Sequence, residues 1–140
     1  MSYTTNAREM TRAYFDSLML EERLVDAVVP DLSTTLFGET FSTPITTTAL
    51  SHLKKFNPGF EKPMEAYAGG AAMANTMHWI GMCESEEFRN VMACGAKTVR
   101  FVKPYADKDK IFFQLKEAEA AGAIAVGIDI DHTFDGKGNP

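Results

Sequence analysis

Two apolar segments of the chain carry the side chains best suited to chemistry. Lys103 and Tyr105 lie two residues apart in KTVRFVKPY, and Asp129 and Asp131 lie two residues apart in AIAVGIDID. Because the side chains of an extended strand alternate between its two faces, each pair shares one face. Two carboxylates on such a face cost free energy unless they are paired. If the two segments are neighbouring strands, Lys103 is the partner that we expect for Asp129.

The same carboxylates allow a rival interpretation, which is an oxygen-rich metal site. Asp129 and Asp131 are followed by His132 and Asp135, and carboxylate oxygens are the ligands that hard divalent cations prefer. This spacing, however, matches no known metal-binding loop. We therefore predict a site without a metal, in which His132 and Asp135 are polar residues of the loop after the strand.

The segments that position these residues alternate between strand-like and helix-like patterns. The helix-like segments have suitable ends: Ser85 and Asp107 are predicted N-caps, Pro63 suits a first turn, and Gly95 and Gly122 supply left-handed stops. The last three strand candidates start 22 and 26 residues apart, a spacing that fits βα units. The four strand candidates are STPITTTA, NTMHWIG, KTVRFVKPY and AIAVGIDID.

Strands of the buried type that alternate with helices predict an α/β fold with a parallel sheet. A helix over residues 4–18 and an irregular or hairpin-like segment over residues 20–41 form a lead-in, residues 1–42, before four βα units in residues 43–140. We expect one domain. A complete (β/α)8 TIM barrel needs about 250 residues, so this chain supplies roughly its N-terminal half. Since a free half-barrel has two unpaired edges, we expect another chain or segment to complete it, the alternative being a small open sheet.

The composition argues against several classes of protein. The net charge is −5, with 14 basic and 19 acidic residues and no basic stripe, so we expect no nucleic-acid partner. No stretch approaches the roughly 18 apolar residues of a membrane span, and the first ten residues lack the apolar core of a signal peptide. Cys83 and Cys94 lack metal-ligand spacing and are predicted to be core residues. These features favour a cytoplasmic protein without a membrane partner.

Three segments in one register resemble a known family. TTLFGETFSTPITTTAL, RFVKPYADKDK and KEAEAAGAIAVGIDID are similar to barrel segments of the FMN-dependent 2-hydroxy acid oxidising enzymes, which include glycolate oxidase and lactate oxidase. The resemblance covers residues 15–137 and implies a (β/α)8 barrel with FMN across the carboxyl ends of the strands. The family motif S-N-H-G-G-R, which carries the base, is absent from these 140 residues. We therefore expect a C-terminal half-barrel chain or segment to supply the base and the phosphate site.

The resemblance places the FMN ring against the ends of the first two strands. Ala49, Leu50 and Ser51 occupy the position where the backbone of the family contacts the flavin edge. His78 and Trp79 fall where the family has two small serines near the flavin. The alternative for each side chain is structural, because a lone tryptophan at a strand end usually packs and a lone histidine is usually a core residue.

The ends of the third and fourth strands carry the remaining residues that the resemblance singles out. Tyr105 matches a tyrosine that hydrogen-bonds the substrate, and Lys103 replaces a glutamine that touches the polar edge of the flavin. Asp131 matches a family aspartate, whereas Asp129 replaces a threonine beside the flavin. We expect the two replacements to compensate each other as an ion pair, in which the cation could stabilise a reduced flavin.

The predicted function is that of an FMN-dependent oxidoreductase, which transfers a hydride from a small 2-hydroxy acid or related alcohol to flavin. This chain would supply the flavin-ring cradle, with Tyr105, Asp129 and Asp131 as its catalytic candidates, and the completed barrels are expected to form a homo-oligomer. One alternative is a half-barrel without activity that serves as a subunit or assembly module. Another is a different FMN barrel enzyme, such as an isopentenyl diphosphate isomerase or a flavin reductase.

Overall fold

The computed structural model describes residues 6–22 and 24–130. Contacts divide the chain into two compact units, Met1–Asp31 and Leu32–Pro140, so the boundary lies inside the predicted lead-in. The elements in chain order are α1 (Ala7–Asp16), β1 (Thr34–Leu36), β2 (Glu39–Phe41), α2 (Leu53–Phe56), α3 (Pro63–Met73), β3 (His78–Ile80), α4 (Ser85–Ala93), β4 (Thr98–Val102), α5 (Lys108–Ala120) and β5 (Ala125–Ile128).

The first unit contains the helix α1. It begins where the Asn6 side chain accepts a hydrogen bond of 3.0 Å from the backbone N–H of Glu9. Arg12 and Asp16, one turn apart, form an ion pair of 3.0 Å. The helix lies within the predicted residues 4–18, of which 4 and 5 are outside the described residues. Among the described residues of the whole chain, no helix is long and apolar enough to cross a membrane.

The second unit begins with the hairpin β1–β2, which confirms the hairpin-like part of the predicted lead-in. Its turn places Phe37 and Gly38 at φ angles of 53° and 80°. Glycine adopts this left-handed region without strain, whereas phenylalanine is strained there. Phe41 at the end of β2 is buried against Met77 and Val99. The Lys97 ammonium lies 3.0 Å from a carboxylate oxygen of Glu39 and so ties the hairpin to the start of β4.

The parallel sheet of the second unit has the strand order β3–β4–β5. His78 pairs with Thr98 at the start of β3, and Val99 pairs with Ala125 at the start of β5. One face of this sheet packs on helices, where Ile80 joins a core cluster with Phe88 of α4. The predicted α/β class and the order of the last three strands are therefore confirmed.

The predicted first strand, STPITTTA, is not a regular strand. Only Leu50 forms an isolated parallel bridge, with Ile80 of β3, although the backbone of Thr47 also donates to the carbonyl of Met77 at 3.0 Å. Threonine hydroxyls take over part of the ladder, because Thr47 Oγ1 accepts from the backbone N–H of Trp79 at 2.8 Å. Pro44 has no N–H to contribute. The segment therefore runs beside β3 through a few backbone hydrogen bonds together with side-chain hydrogen bonds.

The helix ends agree with most of the sequence predictions. Asp107 caps α5 by accepting from the backbone N–H groups of Asp109 and Lys110, and Gly122 follows that helix at a φ of 81°. The predicted N-cap Ser85 is wrong, because Glu84 holds that position and Ser85 is the first helical residue. The short helix α2 was not predicted. Its preceding residue, His52, adopts a left-handed φ of 56°.

Both cysteines are free thiols, as predicted. Burial raises the pKa of Cys83 to about 11 and also raises that of Cys94, so that both are held in the less reactive protonated form. Cys83 belongs to the same core cluster as Phe88, and Cys94 packs against it. These environments are those of structural residues.

Candidate functional site

The face of the β3–β5 sheet opposite the helices carries the candidate site, and we call it the inner face. Ile80 and Arg100 point to the helices, where the Arg100 guanidinium lies 3.9 Å from the centroid of the Phe88 ring. Alternation along each strand therefore puts Trp79 and Phe101 on the inner face. These two rings stack with centroids 5.3 Å apart and planes 17° from parallel.

Gly127 of β5 allows this aromatic stack. It pairs with Phe101 across the strands, and a Cβ atom added there would lie 2.5 Å from Cε1 of the Phe101 ring. No side chain larger than hydrogen fits that space without displacing the ring. The two stacked rings therefore extend across β3 and β4 with the Phe101 ring against Gly127 of β5, and we call them the aromatic layer.

An ion pair lies just beyond this layer, at the carboxyl ends of β4 and β5. Lys103 Nζ is 2.6 Å from Asp129 Oδ2, and their side chains are 24% and 29% exposed. The two residues are brought together because the register continues past the strands, where the Asp129 N–H donates to the Val102 carbonyl at 2.9 Å. The predicted pairing of Lys103 with Asp129 is confirmed. Asp131, the second predicted carboxylate, lies outside the described residues, as do His132 and Asp135 of the rival metal site.

The described residues contain no group of three His, Cys, Asp or Glu side chains that could hold a metal ion. The rival metal interpretation depends on residues after position 130, which lie outside the described residues, so this observation does not test it. The charges that the described part of the site contributes are those of one lysine and one aspartate.

The backbone of Ala49 and Leu50 closes over the end of β3. The N–H of Gly81 donates to the Leu50 carbonyl at 3.0 Å, and a Cβ atom on Gly81 would lie 3.1 Å from the carbonyl oxygen of Ala49. Gly81 therefore permits a close approach of two backbones at this point. Ser51 follows, half-buried, before the turn at His52. The structure thus brings the three predicted residues Ala49, Leu50 and Ser51 to the carboxyl end of β3. The sequence reasoning missed Gly81, although a glycine directly after a strand is a known sign of such an approach.

His78 lies on the opposite face of β3 from Trp79. Its side chain is fully buried, its Nδ1 atom is 3.1 Å from Thr47 Oγ1, and its ring meets that of Tyr67 of α3 edge to face. Burial lowers the pKa of His78 to about 4, so the imidazole is neutral at physiological pH. Adjacent strand residues point to opposite faces, so His78 has the core environment that was the alternative to a place near the flavin, and only Trp79 lies on the inner face.

Tyr105 lies beyond the end of β4, in the loop that leads to α5. Its backbone N–H donates to the carbonyl of Lys103 at 2.9 Å, a tight turn that keeps the two residues together. The ammonium of Lys110, in the first turn of α5, lies 3.9 Å from the centroid of the half-buried Tyr105 ring. The sequence reasoning placed Tyr105 on the strand and did not anticipate Lys110, because that contact depends on how the loop enters the helix.

Comparison with known proteins gives the same picture of the fold. Mandelate oxidase with 3,3-difluoro-2-hydroxy-3-phenylpropionic acid matches 88% of this chain at 18% identity with a TM-score of 0.75, and the match covers 37% of that structure's chain. Mandelate oxidase with (S)-4-hydroxymandelic acid matches 84% of this chain at 19% identity with a TM-score of 0.72, covering 32% of that chain. The chain therefore spans about a third of the length of these structures. Its α/β fold with a parallel sheet is similar to that part of a TIM-barrel enzyme.

Sequence comparison supplies the family. No curated protein sequence matches the chain. The family model described as FMN-dependent dehydrogenase, in contrast, matches residues 2–139, nearly the whole length. The chain therefore belongs to the FMN-dependent dehydrogenase family.

Proposed function

We propose that this chain forms the flavin-ring cradle of an FMN-dependent oxidoreductase acting on a small 2-hydroxy acid or related alcohol. The observation that carries the proposal is the Lys103–Asp129 ion pair, at 2.6 Å, on the inner face where parallel strands end. In barrels of parallel strands this end is where active sites lie. Solved structures of similar fold include those of mandelate oxidase, and one of them holds (S)-mandelic acid.

The residues at these strand ends fit a flavin ring in shape and in chemistry. A planar ring system needs a flat apolar support and polar groups at its edge. Trp79 and Phe101 provide a stacked aromatic layer, and the Ala49 and Leu50 carbonyls close the neighbouring edge above Gly81. Lys103 and Asp129 supply one cationic donor and one anionic acceptor beyond that layer. The polar groups of Lys103 and Asp129 and the aromatic layer of Trp79 and Phe101 therefore both suit FMN.

Each residue of the proposed cradle has a distinct task. When bound, FMN accepts a hydride from the substrate carbon. Lys103 would hold the polar edge of the ring and stabilise negative charge there, while Asp129 keeps Lys103 oriented and the pair neutral overall. Tyr105 would donate a hydrogen bond to the substrate. Ala49, Leu50 and Ser51 would contact the ring through their backbone. Trp79 would line the site on the inner face of the sheet.

The proposal includes completion of the fold as a (β/α)8 barrel. Among the described residues, β5 pairs only with β4, and its outer side chains Val126 and Ile128 are 47% and 44% exposed. We propose that a C-terminal half-barrel chain or segment covers this edge. It would bring the phosphate site and the group that removes the substrate proton.

The flavin proposal is tested by titrating the protein with FMN. Trp79 is the only tryptophan of the chain, so its fluorescence should fall when a flavin binds nearby. Lys103→Met should weaken FMN binding roughly 10- to 150-fold, because a charge-assisted hydrogen bond contributes roughly 1.5–3 kcal/mol. Lys116→Met, which removes an exposed lysine from α5, is the matched control and should bind FMN like the wild type.

Two results would contradict the flavin proposal. A colourless protein that quenches no Trp79 fluorescence on addition of FMN would leave an assembly module as the better interpretation. Equal FMN affinity in Lys103→Met and the wild type would remove Lys103 from the cradle.

A further inference from the structure

Lys110 is a charged residue near the candidate site to which the proposed function gives no role. Its ammonium lies 3.9 Å from the centroid of the Tyr105 ring, well within the roughly 6 Å range of a cation–π interaction. Lys110 is exposed and Tyr105 is half-buried, so the contact lies at the edge of the site and not in the core.

The start of α5 fixes Lys110 in this position. The Asp107 carboxylate accepts hydrogen bonds from the backbone N–H groups of Asp109 and Lys110, at 3.0 and 3.4 Å. This cap engages the Asp107 carboxylate with backbone amides and fixes the first turn of α5, on which Lys110 lies. On the other side, the turn from Lys103 to Tyr105 holds the backbone of the tyrosine. The phenol ring is therefore restrained both through its backbone and through one of its faces.

A phenol restrained beside an ammonium group suits the recognition of an anion. The hydroxyl donates one hydrogen bond, and the nearby positive charge attracts a carboxylate and strengthens that donation. Lys103 cannot provide the same attraction to the same extent, because Asp129 neutralises it at 2.6 Å. Within the described residues, the Tyr105–Lys110 pair therefore combines a hydroxyl donor with a cation that has no carboxylate oxygen within 4.0 Å.

We propose that Lys110 is a positioning residue that orients Tyr105 and makes the Tyr105–Lys110 pair a recognition element for the substrate carboxylate. This inference rests on the proposed function, since it assigns the carboxylate of a 2-hydroxy acid to a particular part of the same site. It concerns ground-state binding and assigns no proton or hydride transfer to either residue.

The test measures lactate and lactamide binding to the full chain. The two compounds have the same hydroxyl and methyl groups, and only lactate carries a charge. Tyrosine labelled with carbon-13 in its ring reports binding by NMR, and the Tyr105 signal is identified as the one missing from Tyr105→Phe. Lys110→Met should weaken lactate binding roughly two- to fivefold, the range expected for an exposed cation, and should leave lactamide binding unchanged. Lys110→Arg should restore the lactate affinity.

The matched control is Lys108→Met, which removes the other exposed lysine from the same turn. It should bind lactate like the wild type. Three outcomes overturn the inference: a lactate affinity unaffected by Lys110→Met, an equal loss for lactate and lactamide, or an equal loss in Lys108→Met. No shift of the wild-type Tyr105 signal on addition of lactate also overturns it.

The same samples separate this inference from the flavin proposal. Lactate binding is read at Tyr105 with and without FMN, and FMN binding is read from Trp79 fluorescence. Failure to bind FMN contradicts the flavin cradle, whereas a normal FMN affinity with no effect of Lys110→Met contradicts only the role of Lys110. The thermal midpoints of Lys110→Met and Lys110→Arg should agree to within about 2 °C, as expected for substitutions at an exposed position.

Discussion

The imidazole of His78 is buried with one of its nitrogen atoms unsatisfied. Nδ1 lies 3.1 Å from Thr47 Oγ1, whereas Nε2 has no hydrogen-bond partner among the described residues. Burial lowers the pKa of this side chain from 6.5 to about 4. The Thr47 contact joins the segment before Ala49 to β3. Protonation of His78, which lies outside the candidate site, therefore affects how firmly this segment is held.

This environment predicts that the protein loses stability in mild acid. The unfolded chain takes up a proton at His78 below pH 6.5, but the folded chain does so only near pH 4. The stability of the fold with a neutral His78 is therefore fully present above pH 6.5 and is lost as the pH falls toward 4. Between pH 7 and pH 5 the free energy of unfolding should fall by about 2 kcal/mol through His78 alone. Urea unfolding at both pH values measures this fall.

The exposed His52 supplies the control for that experiment. His78→Gln should lose stability at pH 7 but show a smaller fall between pH 7 and pH 5 than the wild type. His52→Gln should keep the full fall. An unchanged pH dependence in His78→Gln would show that carboxylates, and not this imidazole, cause the acid sensitivity.

The residues of the candidate site differ in how well the sequence predicts them. Lys103 and Asp129 were predicted to pair because an alternation of two along neighbouring parallel strands determines which side chains share a face. Lys103 Nζ and Asp129 Oδ2 indeed lie 2.6 Å apart. His78 was placed near the flavin by the family resemblance, whereas the alternation of side chains puts it on the face opposite Trp79, in the core position given as its alternative. Lys110 could not be predicted, because its contact spans a loop.

At the scale of elements, an ion pair joins β4 to the helices behind it. Arg100 is almost completely buried, and its Nη1 atom lies 2.8 Å from Glu117 Oε2 of α5. Although burial raises the pKa of Glu117, hydrogen bonds from Arg100 and Ser85 and the charges of two arginines hold it below its usual value. The second arginine, Arg89 of α4, lies 3.2 Å from Glu117. One carboxylate therefore connects a strand with two helices.

Removal of that carboxylate should destabilise the sheet strongly. Glu117→Leu leaves the Arg100 guanidinium buried beside Phe88 without its anionic partner, which typically costs roughly 3–5 kcal/mol. Glu119→Leu, two residues along the same helix and exposed, is the control and should change the free energy of unfolding by less than about 0.5 kcal/mol. Equilibrium urea unfolding compares them. Similar losses in both variants would contradict the assigned role of Glu117.

The element ends show where local sequence determines structure. Asp107 and Gly122 were predicted at the two ends of α5 because a cap and a left-handed stop depend on a few neighbouring residues. Ser85 was predicted as a cap and instead hydrogen-bonds to Glu117, a partner distant in sequence. The segment STPITTTA has the β-branched composition of a strand, yet the Thr47 hydroxyl takes a ladder position. Long-range partners decided both of these differences.

At the scale of the whole molecule, the sheet of the second unit has an edge with apolar side chains. Val126 and Ile128 of β5 remain 47% and 44% exposed, and Val126 borders a groove of about 300 Å³ that also contains Phe112 and Leu115 of α5. An exposed parallel edge with apolar neighbours is a site for pairing with another chain. The proposed completion of the barrel would cover this surface with a further strand and helix.

This surface predicts that the isolated chain associates in solution. Size-exclusion chromatography should show species larger than the 15.4 kDa monomer, because burial of the edge removes apolar area from water at roughly 25 cal/mol per Å². Replacing Val126 and Ile128 together by lysine should shift the protein toward the monomer, since charges on an edge oppose strand pairing. Met10→Lys, which removes an exposed apolar side chain of the first unit, should leave the elution unchanged. If the wild type is a soluble monomer at all concentrations, the edge needs no partner, and a small open sheet replaces the half-barrel as the better account of the second unit.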